Sequence, residues 1–113
     1  MKKIEAIIRP EKIQAVVASL EAIGYPGVTV SEVQGHGKQR GVTEQWRGQK
    51  YQVTFLPKLK LEIVVKDGDL NRIIKAISSS AKTETVGDGK IFVSDIQDVI
   101  RIRTDERGDI AVG

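Results

Sequence analysis

Lys2-Lys3-Ile4-Glu5-Ala6-Ile7-Ile8-Arg9-Pro10-Glu11-Lys12-Ile13-Gln14-Ala15-Val16-Val17-Ala18-Ser19-Leu20-Glu21-Ala22-Ile23-Gly24 changes its hydrophobic period at Pro10, and that change decides the fold. Before the proline, Ile4, Ala6 and Ile8 fall on every second residue, the spacing of a strand with one strongly apolar face. After it, Ile13, Val16, Val17, Leu20 and Ile23 recur at helical spacing. Proline is tolerated in a first helical turn, and Gly24 supplies the stop. The chain therefore opens with a strand that feeds an amphipathic helix.

Working outward, Val28 to Val33 reads as a second strand, with Val28 and Val30 on one face and Thr29 and Ser31 on the other. Tyr51 to Val65 resumes the alternation, most clearly at Leu59, Leu61, Ile63 and Val65, as a long third strand bent at Pro57. Asp67-Gly68-Asp69 is a turn, and Asp69 is placed to cap a second helix whose buried face is Leu70, Ile73, Ile74 and Ile77 and which ends in Ser78 to Ser80. Lys90 to Val93 and Val99 to Arg103 read as final strands, and residues 104–113 as a polar, mobile tail. Strand, helix, strand, repeated once, is the split βαβ plan: an α+β, ferredoxin-like βαββαβ fold with a long loop between its second and third strands. Each helix has one apolar stripe, so both should cover one face of an antiparallel sheet and leave the other open to oligomerisation.

At 113 residues the chain is expected to form one domain over residues 1–113. It has no cysteine and one histidine, His36, which excludes disulfides, thiolate metal sites, cysteine nucleophiles and multi-histidine metal sites. No apolar run approaches the roughly 20 residues that cross a bilayer, and Met1 to Pro10 is too short and charged for a signal peptide, so a cytoplasmic protein without membrane insertion is expected. There is no Gly-x-Ser-x-Gly elbow, and Asp67 and Asp69 are turn and cap residues first. A non-enzymatic role is the expectation.

The formal net charge is +3, too small by itself to argue for nucleic acid, but it is unevenly spread. Between Gly35 and Lys60 the cations Lys38, Arg40, Arg47, Lys50, Lys58 and Lys60 meet only Glu44. Gly35 to Lys50 lacks a convincing period and is longer than ordinary connections, which marks it as a long loop that is either functional or disordered, function being the preferred reading. Three cationic elements stand out. Gly35-His36-Gly37-Lys38-Gln39-Arg40-Gly41 is either a flexible loop base or an anion-binding turn. Gly87-Asp88-Gly89-Lys90 is either a tight turn or a cradle whose amides and lysine hold phosphate; it is not a Walker motif. Arg101 and Arg103 alternate with Ile100 and Ile102, so a strand there would put both guanidiniums on one face and both isoleucines in the core. Such a pair is either matched to surface carboxylates or a phosphate clamp. Lys58 and Lys60 share a face, and their plain reading is a solvated basic edge. Trp46 and Tyr51 lie in or beside the loop in a chain with 4% aromatic residues, which makes Trp46 a candidate contact residue.

Taken together, several stretches resemble the PII signal-transduction proteins of nitrogen metabolism almost end to end. They are Met1 to Pro10, Thr29-Val30-Ser31-Glu32-Val33 with Gly35 and Gly37, Phe55-Leu56-Pro57-Lys58, Thr83 through Gly87-Asp88-Gly89-Lys90-Ile91-Phe92-Val93, and Ile100-Arg101-Ile102-Arg103-Thr104. The resemblance implies a homotrimer with ATP or ADP competing for clefts between subunits, and a long T-loop, about residues 37–55, that docks into targets. It implies that Lys38, Lys90, Arg101 and Arg103, with Gly87, Asp88 and Gly89, hold the phosphates, and that Thr29, Gly35, Gly37 and the backbone near Val64 enclose base and sugar. It further implies that 2-oxoglutarate binds with Mg-ATP, Gln39 ligating magnesium and Lys58 pairing with a keto-acid carboxylate. The partner would be a target such as an ammonium channel or an enzyme of nitrogen metabolism, not nucleic acid.

Tyr51 matches the tyrosine that some members have uridylylated or adenylylated. Trp46-Arg47-Gly48-Gln49-Lys50-Tyr51 departs from the family's usual Tyr-Arg-Gly-(Ala or Ser)-Glu-Tyr: Gln49 removes the serine phosphorylated in some relatives, and Lys50 reverses a charge beside Tyr51. Glu11 stands where phenylalanine is common, and Glu84 where glycine is common, close to the nucleotide turn. Two other readings compete. A basic RNA-binding module would need stacking aromatics on its sheet, where Phe92 is the one candidate. A small phosphate-handling enzyme would use Arg101 and Arg103 as its clamp.

Overall fold

In a computed structural model of the chain, residues 1–36 and 55–113 are described in full, together with the backbone of residues 43–46 and 49–52. The elements are β1 (Lys2–Ile8), a 3-10 turn (Pro10–Lys12), α1 (Ile13–Ala22), β2 (Thr29–Gly35), β3 (Thr43–Trp46), β4 (Gln49–Gln52) and β5 (Leu56–Val65). A 3-10 turn (Asp67–Asp69), α2 (Leu70–Ala81), β6 (Lys90–Asp95) and a last 3-10 turn (Gly108–Ala111) complete the chain. The main sheet is antiparallel in the order β2-β5-β1-β6, which with the two helices is the α+β, ferredoxin-like arrangement. β3 and β4 pair with each other in a separate hairpin.

Ile4, Ala6 and Ile8 of β1 and Leu61, Ile63 and Val65 of β5 turn inward and meet Val16 and Leu20 of α1 and Ile73, Ile77 and Ala81 of α2. The period of two in the central strands and the helical stripes thus close on one core, each buried aliphatic side chain contributing about 1.5–3 kcal/mol. The opposite face of the sheet is polar. Glu5 and Glu62 are directly opposite in the ladder, where like charges repel. Lys3 and Lys60 flank them, each reaching both carboxylates at 3.2–3.8 Å. The hydrogen bond from Lys3, followed by that from Lys60, holds the Glu62 carboxyl below its ordinary range.

Several expectations are corrected. The long strand from Tyr51 is two elements, β4 and β5, and the segment read as a plain loop contains the β3–β4 hairpin. The second strand runs to Gly35 rather than Val33. Asp69 occupies the N-cap position of α2 without bonding the helix amides, because its carboxylate accepts from the Tyr25 hydroxyl and from Arg72. Val99 to Arg103 is not a strand. It forms one isolated bridge, Ile100 with Arg107, and turns back on itself through Asp105 N–H to Arg101 C=O at 2.8 Å and Gly108 N–H to Val99 C=O at 3.0 Å. With its backbone spent on this local turn, the segment adds no row to the sheet. Ile100 is half-exposed and Ile102 is 96% exposed, so neither enters the core. Residues 104–113 carry the final 3-10 turn and set Val112 against the core.

Candidate functional site

The site is built on the turn that joins α2 to β6. Asp88 organises it: its carboxylate accepts from the amides of Thr83 and Glu84, both at 2.8 Å, from the Thr83 hydroxyl, and from Arg9 Nε at 3.1 Å. Arg9 also donates from Nη2 to the Thr85 hydroxyl at 3.1 Å and to the Val86 carbonyl at 2.8 Å, so one guanidinium ties the end of β1 to the whole turn. The donors converging on Asp88, the Thr83 hydroxyl foremost, hold its carboxyl well below the ordinary carboxylate range. It remains an acceptor at any working pH.

Gly87 and Gly89 both have φ of +101°, a conformation that other residues rarely adopt. At Gly89 a Cβ would also lie 1.7 Å from the Ile7 carbonyl oxygen, so the turn presses its backbone onto β1 as only glycine allows. Lys58 reaches this turn from β5, donating from Nζ to the Gly87 carbonyl at 2.8 Å. It is 8% exposed and is the one buried charged residue among those described. Burial, followed by the Arg9 charge, lowers its pKa from the ordinary lysine value. An ammonium held in such surroundings gains by meeting an anion.

Gly35, Lys58, Gly87, Asp88, Gly89 and Lys90 line one cavity of about 570 Å³, with Ile7, His36 and Phe92 also on its wall. Gly35 and His36, the described start of the glycine stretch named from sequence, and the Gly-Asp-Gly-Lys turn therefore converge with Lys58. Ammonium groups and a glycine-rich turn suit a phosphate or carboxylate and repel a bare cation. Gly37, Lys38 and Gln39 lie outside the described residues, as does the side chain of Tyr51.

The other expected residues sit elsewhere. Thr29 is opposite Glu62 in the ladder and Val64 is opposite Lys3, each six residues along its strand from Gly35 and Lys58, about 20 Å away. Arg101 and Arg103 follow β6 beyond Asp95, where the Ile96 amide bonds the Met1 carbonyl at the far end of β1. The two guanidiniums are not aligned on a strand face. Arg101 pairs with Glu106 at 2.7 Å and donates to the Ile110 carbonyl, the carboxylate-matched alternative, while Arg103 is exposed. The candidate residues thus form two groups at opposite ends of one sheet.

Sequence reasoning missed Arg9, Thr83 and Thr85 as supports of the turn. Arg9 and Asp88 are 79 residues apart, and no local spacing links them. Lys58 was read beside Lys60 as part of a solvated basic edge, but β5 is an inner strand, Lys58 is buried and Lys60 is paired with Glu5 and Glu62.

Residues 1–106 match the family model described as Nitrogen regulatory protein P-II. The chain is 53% identical to Nitrogen regulatory protein P-II 2 of Methanothermobacter thermautotrophicus over 112 residues, covering 99% of this chain and 97% of that one. It is 54% identical to Nitrogen regulatory protein P-II of Pasteurella multocida and 53% identical to that of Rhodospirillum rubrum, with 99% of this chain and 100% of each relative covered. The chain belongs to the nitrogen regulatory protein P-II family.

Proposed function

We propose that this chain is a signalling protein of nitrogen regulation that senses adenine nucleotide and, with Mg-ATP, 2-oxoglutarate. The observation that carries the reading is the convergence of buried Lys58, the Gly87–Gly89 turn and Lys90 on one cavity. Lys90 and the turn would face the nucleotide phosphates together with Lys38, and Lys58 would pair with a keto-acid carboxylate. Magnesium would enter with ATP, because the described lining is rich in cations; Gln39 would be its protein ligand. Held there, the ion would supply positive charge that screens the phosphates.

The separation of the two residue groups supports a homotrimer. Thr29, Val64, Arg101 and Arg103 lie too far from the cavity to reach one nucleotide within a single copy. A neighbouring copy that presents its far sheet end completes the cleft, with Arg101 exchanging Glu106 for phosphate. A single domain whose residues 37–55 change conformation with the ligand, and so admit or exclude a target, would be a regulator rather than a catalyst. The RNA-binding alternative fares worse: the open sheet face carries the carboxylates of Glu5 and Glu62 at its centre, and Phe92 is its one described aromatic residue. Trp46, the single tryptophan, lies on β3 inside that segment. Its fluorescence should change when ADP or Mg-ATP is added, and a spectrum indifferent to saturating nucleotide would count against ligand control of the loop.

A further inference from the structure

Gly87 stands between two residues that a single guanidinium holds. Arg9 donates from Nη2 to the Val86 carbonyl at 2.8 Å and to the Thr85 hydroxyl at 3.1 Å, and from Nε to the Asp88 carboxylate at 3.1 Å. Asp88 is itself fixed by the amides of Thr83 and Glu84, both at 2.8 Å, so the plane of the guanidinium is set by the turn it serves. In a planar trans peptide the carbonyl and the N–H that follows it point in opposite directions. Drawing the Val86 carbonyl toward Arg9 therefore turns the Gly87 amide away from Arg9. Thr85, Val86, Gly87 and Asp88 line the cavity and Arg9 does not, so the side of the turn away from Arg9 is the cavity side. Among the described residues, none accepts a hydrogen bond from the Gly87 amide.

We propose that Arg9 is a positioning residue of this site: it aims the Gly87 amide at a phosphate oxygen of the bound nucleotide without touching the ligand itself. The inference rests on the reading of the cavity as a nucleotide site. Gly87, at φ +101°, has a backbone free to take other conformations, so the direction of its amide has to be imposed from outside. The charge of Arg9 contributes less than its bonds. Burial is the main influence on the Lys58 ammonium; after it, Arg9 disfavours and Asp88 favours that charge, so the two members of the pair oppose one another at the cavity.

The test is calorimetric titration of ADP into the intact wild-type protein, Arg9→Lys and Arg9→Met, each well below its melting temperature. The Gly87 amide signal of isotope-labelled wild type is followed by NMR in parallel. Lysine keeps the positive charge and lacks the planar fork that spans Asp88, Thr85 and Val86. Both variants should lose about tenfold in ADP affinity, as expected for one amide contact to a charged oxygen, and the wild-type Gly87 signal should move downfield as ADP binds. An Arg9→Lys protein that binds ADP within about twofold of the wild type would overturn the inference. With Arg9→Met weakened, that result would mean that Arg9 acts by charge; with Arg9→Met equally unaffected, that its bonds serve only the stability of the turn. A wild-type Gly87 amide indifferent to bound ADP would overturn the inference without any variant, and so also where the variants do not fold. Absence of ADP binding by the wild type would overturn the nucleotide reading, and the role of Arg9 with it.

Discussion

Gly89→Ala tests whether the turn is shaped by its contact with β1. The added methyl would overlap the Ile7 carbonyl oxygen, 1.7 Å away, and approach the Ile7 carbonyl carbon at 2.8 Å. Both obstacles are main chain, so no rotamer change relieves them. Alanine at φ +101° costs about 1–3 kcal/mol in backbone strain. Moving β6 away from β1 at the Ile7–Lys90 pair sacrifices ladder hydrogen bonds worth about 1 kcal/mol each. Together these give about 3–5 kcal/mol, a large part of the 5–15 kcal/mol that stabilises a typical domain. At about 4 °C per kcal/mol the melting temperature should fall by roughly 12–20 °C. The assay is thermal unfolding at fixed protein concentration, with Gly68→Ala as control, since nothing lies within 4 Å of that Cβ position. A Gly89→Ala protein that melts within about 2 °C of the wild type would refute the reasoning, because no side-chain adjustment could absorb a main-chain overlap of this size.

Glu84 has φ of +67°, and Glu84→Gly should relieve that strain and stabilise the fold by about 0.5–1 kcal/mol net of unfolded-chain entropy, read as a higher denaturation midpoint at unchanged slope. Because the Asp88 carboxyl is held down in the folded chain, its contribution is fully present above the ordinary carboxylate value near pH 4 and is lost as pH falls below it. Acid titration of stability should therefore be shallower for Asp88→Asn than for the wild type, and superimposable curves would contradict the assignment. Lys58→Ala should weaken 2-oxoglutarate binding about tenfold or more while leaving ADP affinity within about twofold, in line with the loss of one buried charge-assisted contact; equal loss of both ligands in calorimetry would remove Lys58 from the keto-acid role.

The βαββαβ plan was legible because β1, β5 and both helices bury one face each, so apolar period and burial coincide at Ile4, Ala6, Leu61, Ile63, Ile73 and Ile77. The β3–β4 hairpin was not legible. Thr43–Trp46 and Gln49–Gln52 have no apolar alternation to announce them. Ile100-Arg101-Ile102-Arg103 failed in the opposite way: it alternates without a sheet partner, and the local turn through Asp105 takes its backbone bonds. At the candidate site, the glycines and lysines were visible as residue types suited to anions. Their support by Arg9 was not, since a contact between β1 and the α2–β6 turn leaves no trace in local spacing. Only the plain reading of Lys58 as part of a solvated edge fails, because burial of a lysine depends on what the turn after α2 lays across it.

The most direct test of the account is calorimetric titration of the intact protein with 2-oxoglutarate, run with Mg-ATP, with ADP and without nucleotide. The account predicts keto-acid binding with Mg-ATP alone, since Lys58 and the metal-bound phosphates are then presented together. Keto-acid binding that ignores the nucleotide, or failure of the protein to bind ATP and ADP at all, would contradict it.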